Sequence, residues 1–190
     1  MYIDLRRAVA ASSVLAALDP LALVNIINAT VAAAENTCGR KFTRGTYTDV
    51  FDGNNDRLLM VRTVPLVSIT TIDITDDGEV VTSYAGDKFR FDVETGEIRW
   101  KPTEGSWFPR GFQNISVTYV GGYDPLPADL QSAIIQGAAF FIGEEQDPAG
   151  IIKEKLGDYE VTYAFDPRSM SMWPPTARAL LSSYIERVSW

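Results

Sequence analysis

Apolar residues along the chain change their spacing from helical to strand-like and back. Val24, Ile27, Val31, Ala34 and Cys38 recur at alternating three- and four-residue steps, which marks one stripe of a helix. The pattern predicts a helix from Asp19-Pro20, with the aspartate as cap and the proline at the first helical position, to a stop at Gly39. An earlier helix is expected over about Leu5 to Leu18, so two alanine-rich helices open the chain. From Tyr47 to Val120 the texture becomes short β-prone runs separated by Gly, Asp and Asn: Tyr47–Phe51, Leu58–Arg62, Val67–Ile74, Val80–Ser83, Phe89–Val93, Glu97–Trp100 and Ile115–Val120. Asp77-Gly78 and Glu94-Thr95-Gly96 are the expected hairpin turns, because glycine supplies the positive φ that such turns need.

The strand Ile115–Val120 runs into a Gly121-Gly122-Tyr123 corner. Pro127 then suits the first position of a new helix, and Asp129 places negative charge in its positive first turn. Leu130, Ile134, Gly137, Ala138 and Phe141 share one stripe, so this helix is expected to pack closely on another through Gly137 and Ala138. After Asp147-Pro148, Ile151–Leu156 reads as a short helical turn closed by Gly157, and Tyr159, Val161 and Tyr163 as a strand or arm. A last helix begins at Pro174-Pro175 and carries Ala177, Leu180, Leu181, Tyr184, Ile185 and Val188 on one face.

The fold class expected is therefore α+β: a small helical bundle of about four helices with an antiparallel β-sheet lobe inserted between the second and third main helices. The expected divisions are a helical pair over 1–44, the β lobe over 45–122, a helix returning to the helical core over 123–148, and an arm with the terminal helix over 149–190.

Composition narrows the chemistry. In 190 residues, 46% hydrophobic and 22% charged content is ordinary for a globular chain. A net charge of −8 disfavours a grip on duplex DNA, which relies on Lys and Arg displacing counterions. The single cysteine, Cys38, cannot form an internal disulfide. Arg6-Arg7 before the run Ala8–Leu18 imitates a secretory signal, but Asp4, Ser12 and Ser13 favour the helix, and no apolar stretch reaches the length of a bilayer span. The chain is expected to be soluble, cytoplasmic when made and not membrane-bound.

No residue is assigned a catalytic, cofactor-binding or metal-binding role. The absence of histidine removes the usual general base, the Ser-His and Cys-His nucleophile systems and the commonest metal ligand. Cys38 completes an apolar stripe and reads as core. Asp49, Asp52, Asp56, Asp73, Asp76 and Asp77 cluster in sequence, as a carboxylate-dependent glycosidase would require, yet most fall in turns where Asp bonds its own backbone. Asp73-x-Thr75-x-Asp77-Gly78 resembles the start of an EF-hand, but Tyr84 stands where the bidentate Glu belongs. Arg40, Lys41 and Arg44 read as solvated helix-end charges rather than a phosphate site. The loop Trp100–Phe112 concentrates aromatic and basic residues, the composition of a protein contact or of a sugar-stacking platform in a carbohydrate-binding module, against the plainer reading of a hairpin loop folded on its sheet. The loop Pro167–Trp173 is unusually apolar. The candidate partner-interface residues are Trp107, Phe108 and Arg110 in the first loop, with Met172, Trp173, Tyr184, Arg187 and Trp190 toward the C-terminus.

The run Val117–Ile142, VTYVGGYDPLPADLQSAIIQGAAFFI, is similar to the strand-to-helix junction of the head–tail connector (adaptor) proteins of long-tailed bacteriophages. Asn36–Phe42, Tyr47–Gly53, Leu58–Val61, Val64–Ile69 and Glu154–Tyr163 occur in that family's order, so the resemblance spans about residue 20 to the end. It implies a non-enzymatic structural protein of the virion neck, assembled from the host cytoplasm. Copies would form a ring on the portal, taking its twelvefold symmetry, and carry a stopper or tail-side connector while DNA passes through the bore. On that reading the part from Gly157 to Trp190 is the expected portal-docking element. A stopper or tail-completion neck protein is the nearest rival within the resemblance, but such proteins are more wholly β.

Overall fold

A computed structural model describes residues 3–76, 78–103, 107–146, 153–156, 159–162 and 173–185. The chain divides into two compact units, one formed by Met1–Gly39 with Pro125–Trp190 and the other by Arg40–Asp124.

In the helical unit, α1 (Leu5–Ala11) and α2 (Ser13–Ala16) replace the single helix expected over Leu5–Leu18. The break is Ser12, which is extended (φ −149°, ψ 126°) and accepts the Leu15 N–H on its hydroxyl. A serine that offers the backbone its own oxygen favours a new helix start over continuation. α3 (Pro20–Cys38) begins and ends as expected: Asp19 Oδ1 accepts the Leu21 and Ala22 N–H groups at 2.9 and 3.1 Å, and Gly39 closes it at φ 74°. Its buried stripe is Leu23, Ile27, Thr30, Ala34 and Cys38, with Val24 and Val31 only half-buried. The stripe can include a threonine because the Thr30 hydroxyl donates to the Ile26 carbonyl at 2.7 Å, leaving no polar group unpaired.

α4 (Ala128–Gln146) buries Leu130, Ala133, Ile134, Gly137 and Ala138. α5 (Pro175–Leu181) buries Ala177 and Leu181, and a 3-10 turn over Ser182–Tyr184 follows it. The last helix is thus shorter than its apolar pattern suggested, and Val188 lies outside the described residues. Among the described residues, no helix is long and apolar enough to cross a membrane.

In the other unit, all seven β-prone runs are strands: β1 (Gly45–Gly53), β2 (Leu58–Met60), β3 (Leu66–Asp76), β4 (Glu79–Ala85), β5 (Phe89–Phe91), β6 (Glu97–Trp100) and β7 (Gly111–Gly121). They form two antiparallel sheets, one in the order β1-β7-β3-β4 and one in the order β2-β6-β5. β7, the last strand in sequence, is central and pairs with both β1 and β3. Its alternation explains the position, because Ile115, Val117 and Tyr119 are fully buried between half-buried neighbours. The core joins them to Leu59, Ile72, Phe89, Ile98, Trp100 and Phe108. Gly78 (φ 83°) and Gly96 (φ 72°) take the positive φ expected of hairpin turns, while Asp77 lies outside the described residues.

At the corner after β7, Gly122 adopts φ 94°, and a Cβ there would meet the Thr43 carbonyl. The Gly122 N–H donates to the Pro65 carbonyl at 3.0 Å and the Tyr123 N–H to the Phe42 carbonyl at 2.8 Å. A short hairpin, β8 (Lys153–Leu156) with β9 (Tyr159–Thr162), occupies the region where Ile151–Leu156 was expected to be a helical turn. The alternating segment that follows offers Lys153–Leu156 an antiparallel partner, and pairing satisfies more backbone groups than one isolated helical turn would.

Candidate partner interface

Four of the clustered carboxylates, Asp49, Asp52, Asp56 and Asp73, accept hydrogen bonds from within the β unit. Asp49 Oδ2 accepts the Tyr119 hydroxyl at 2.7 Å and the Arg62 N–H at 3.0 Å, while the Tyr119 oxygen accepts the Thr63 N–H at 3.0 Å. Burial pushes the Tyr119 phenol well above its ordinary value, and the neighbouring Asp49 carboxylate pushes it the same way against the Thr63 donor. Asp52 Oδ1 accepts the Gln113 N–H at 2.7 Å, Asp56 Oδ1 the Arg57 N–H at 2.6 Å, and Asp73 Oδ1 the Ser83 hydroxyl at 2.5 Å. Among the described residues, no three acidic, histidine or cysteine side chains form a metal-binding group. Asp73 and Gly78 belong to the β3–β4 hairpin rather than to a calcium loop. Cys38 is buried, with its Sγ 3.7 Å from the Leu181 carbonyl. Arg40 is not a solvated helix-end charge: Nη2 donates to the Val64 carbonyl at 2.7 Å and to the Tyr123 hydroxyl at 3.4 Å.

The aromatic loop divides between core and surface. Trp100 ends β6 and packs with Tyr84 and Phe89 at ring-centroid distances of 4.9 and 4.5 Å. Phe108, a candidate contact by sequence, is instead fully buried and stacks on Phe89 at an interplanar angle of 9°. Its N–H donates to the Asp56 carbonyl at 2.8 Å, which holds the ring inward. Trp107 and Arg110 do reach the surface. Trp107 is 52% exposed and lies under the Arg57 guanidinium, 4.2 Å from ring centroid to Cζ. Phe112 is 80% exposed.

Asn114 ties the two loops of this end together. Its Oδ1 accepts the Gly53 N–H at 2.8 Å and its Nδ2 donates to the Pro109 carbonyl at 3.0 Å. Gly53 is needed there, since a Cβ would overlap the Pro109 carbonyl, and Asn55 and Gln113 hold positive φ values of 62° and 48°. A loop pinned at this many points presents its exposed side chains with little conformational entropy left to lose.

The C-terminal candidates fare differently. Trp173 is buried, not exposed: Gly137 has no side chain to block its ring, and its indole N–H donates to Thr37 Oγ1 at 3.2 Å. Tyr184 is half-buried, with its hydroxyl donating to the Asp129 carboxylate at 2.8 Å. Met172, Arg187 and Trp190 lie outside the described residues. Sequence spacing did not single out Arg57 or Phe112, because their prominence depends on which loops meet.

No protein-family model matches the chain, and no curated protein sequence does. Solved structures do. A chain in the neck of a native GTA particle, computed with C12 symmetry, superimposes with a TM-score of 0.60 at 16% identity, covering 96% of this chain and 92% of that one. A chain in the neck of an empty GTA particle, computed with C6 symmetry, gives 0.59 at 16% identity over 92% of this chain and 83% of that one. A third, in the virion of a native gene transfer agent (GTA) particle, gives 0.55 at 14% identity over 90% and 81%. The matched residues come from both units, since 90–96% of this chain is covered in the three comparisons.

Proposed function

We propose that the protein is a structural head–tail adaptor of a phage-like particle, located in the virion neck. Copies form a ring on the portal, twelve where the portal is twelvefold, and the ring carries the tail-side connector while DNA passes through its bore. The observation that carries this reading is the shared fold over 96% of the chain with a chain from a neck computed with C12 symmetry. The order of the sequence segments from Asn36 to Tyr163 supports it independently. Helices on both sides of the β unit in sequence favour the adaptor over a stopper.

The protein acts by assembly, not by catalysis. Repeated head-to-tail contacts between identical subunits close into a ring when the rotation between neighbours divides the circle. Exposed Trp107, Arg57, Arg110 and Phe112 are aromatic and arginine residues of the kinds enriched in protein contacts, on two loops already held in shape and the start of β7. Imaging of the full chain with and without a portal ring of the same source tests the reading. An adaptor adds a ring directly to the portal; a stopper binds only once another protein covers it. A chain that ignores both surfaces overturns the proposal.

A further inference from the structure

The β unit carries two surfaces of opposite character. The first is β4, one of the two edge strands of the four-stranded sheet, to which only β3 is paired among the described residues. Val80 and Val81 are 60% and 65% exposed there, beside the exposed carboxylate-bearing residues Asp76 and Glu79. From 63 to 87 the sequence contains no Lys or Arg and five carboxylates. β4 contains neither lysine nor proline, and the register shift that leaves Val81 without a partner on β3 brings Val80 and Val81 together at the edge.

The second surface is the outward face of the three-stranded sheet. The register places Leu58, Arg99 and Arg90 in one row across β2, β6 and β5, with Met60 and Glu97 in the next. Two arginines directly opposite one another on neighbouring strands repel. Glu97 pairs with Arg99, which leaves Arg90 with no carboxylate partner among the described residues. Arg57, exposed and stacked on Trp107, immediately precedes β2. Copies of a chain with a net charge of −8 repel one another overall, so a stable contact between them has to bring its few basic clusters against acid.

We propose that the acidic β4 edge of one copy docks on the Arg90–Arg99 face of the next, with Val80 and Val81 against Met60 and Leu58. The contact joins two different patches, so it is head-to-tail and leaves a free patch on each side for the next copy. This rests on the ring reading above and names the surface that builds the ring.

Self-association of the full chain, free or on the portal ring, is measured by sedimentation velocity and native mass spectrometry. Glu79→Arg and Arg90→Glu each weaken it by roughly tenfold or more, and the double variant E79R/R90E restores it, because each copy then presents exchanged charges. p-Benzoylphenylalanine at Val81 crosslinks to residues 58–60 or 89–100 of another copy. If the unsubstituted chain assembles while the single variants are neutral, or the double variant does not recover, the pairing is wrong and the ring reading stands. A chain that stays monomeric both free and on the portal ring overturns the two together. An Arg90→Glu variant that assembles normally but loses retention of duplex DNA overturns the contact in favour of a surface facing nucleic acid.

Discussion

The helical unit and the β unit are held together by different means. In the helical unit, segments distant in sequence meet through small residues: Gly137 of α4 makes room for Trp173, whose indole in turn reaches Thr37 of α3. Its cohesion is side-chain packing, in which Trp173 is the largest fully buried side chain among the described residues. The β unit instead spreads its cohesion over two hydrogen-bonded sheets and an aromatic cluster of Tyr84, Phe89, Trp100 and Phe108. It can therefore expose Trp107, Phe112 and a bare strand edge without giving up its core. In the helical unit the last helix is part of the packing, since Ala177 and Leu181 of α5 are fully buried.

The largest effect is expected at Trp173. Trp173→Ala removes a fully buried ring and should cost about 3–5 kcal/mol. Hydrogen exchange should show the loss in residues 3–39 and 125–146, with residues 40–124 little changed; equal loss in both would erase the distinction between the units. Deleting the chain from Asp166 onward removes the same ring together with Leu181, so reduced portal binding by such a truncation would report unfolding as much as docking.

Tyr119→Phe should cost about 1–3 kcal/mol, because the buried Thr63 N–H loses its acceptor. Urea unfolding followed by exchange should place this loss in the β unit. The same residue sets a pH dependence. Its folded pKa lies above the unfolded value of about 10, so its contribution is complete below that pH and is lost as pH rises toward the folded value. Stability measured from pH 8 to 11 should fall more steeply in the parent than in Y119F. Parallel slopes would show that the phenol ionises as freely folded as unfolded.

The smallest effect is at Asp19. Asp19→Ala removes the oxygen that caps Leu21 and Ala22 and should cost about 1 kcal/mol in chemical denaturation, with exchange faster only at the start of α3. No change there would mean that packing alone defines where the helix begins.

Local chemistry made much of this legible. The cap at Asp19, the stop at Gly39, the turn glycines Gly78 and Gly96, and every β-prone run follow from backbone preferences and two periodicities that act over a few residues. Errors arose where the competition was local but finely balanced, as at Ser12, or where a distant segment decided the outcome, as in β8. The candidate interface was legible by composition only in part. Trp107 and Phe108 are adjacent aromatics, and nothing in their sequence says which one faces outward. The meeting of Asp56 with Phe108 and of Phe89 with its ring settled that.

By itself the sequence determined most of the elements and their order, the lack of histidine chemistry and the acidic balance, since each depends on residue identity and near neighbours. The tertiary structure alone decided that β7 is central, that Arg90 lies opposite Arg99, that β4 pairs only with β3 among the described residues and that Trp173 is core. These depend on pairings between residues far apart along the chain, where many registers satisfy the same local pattern and only packing selects one.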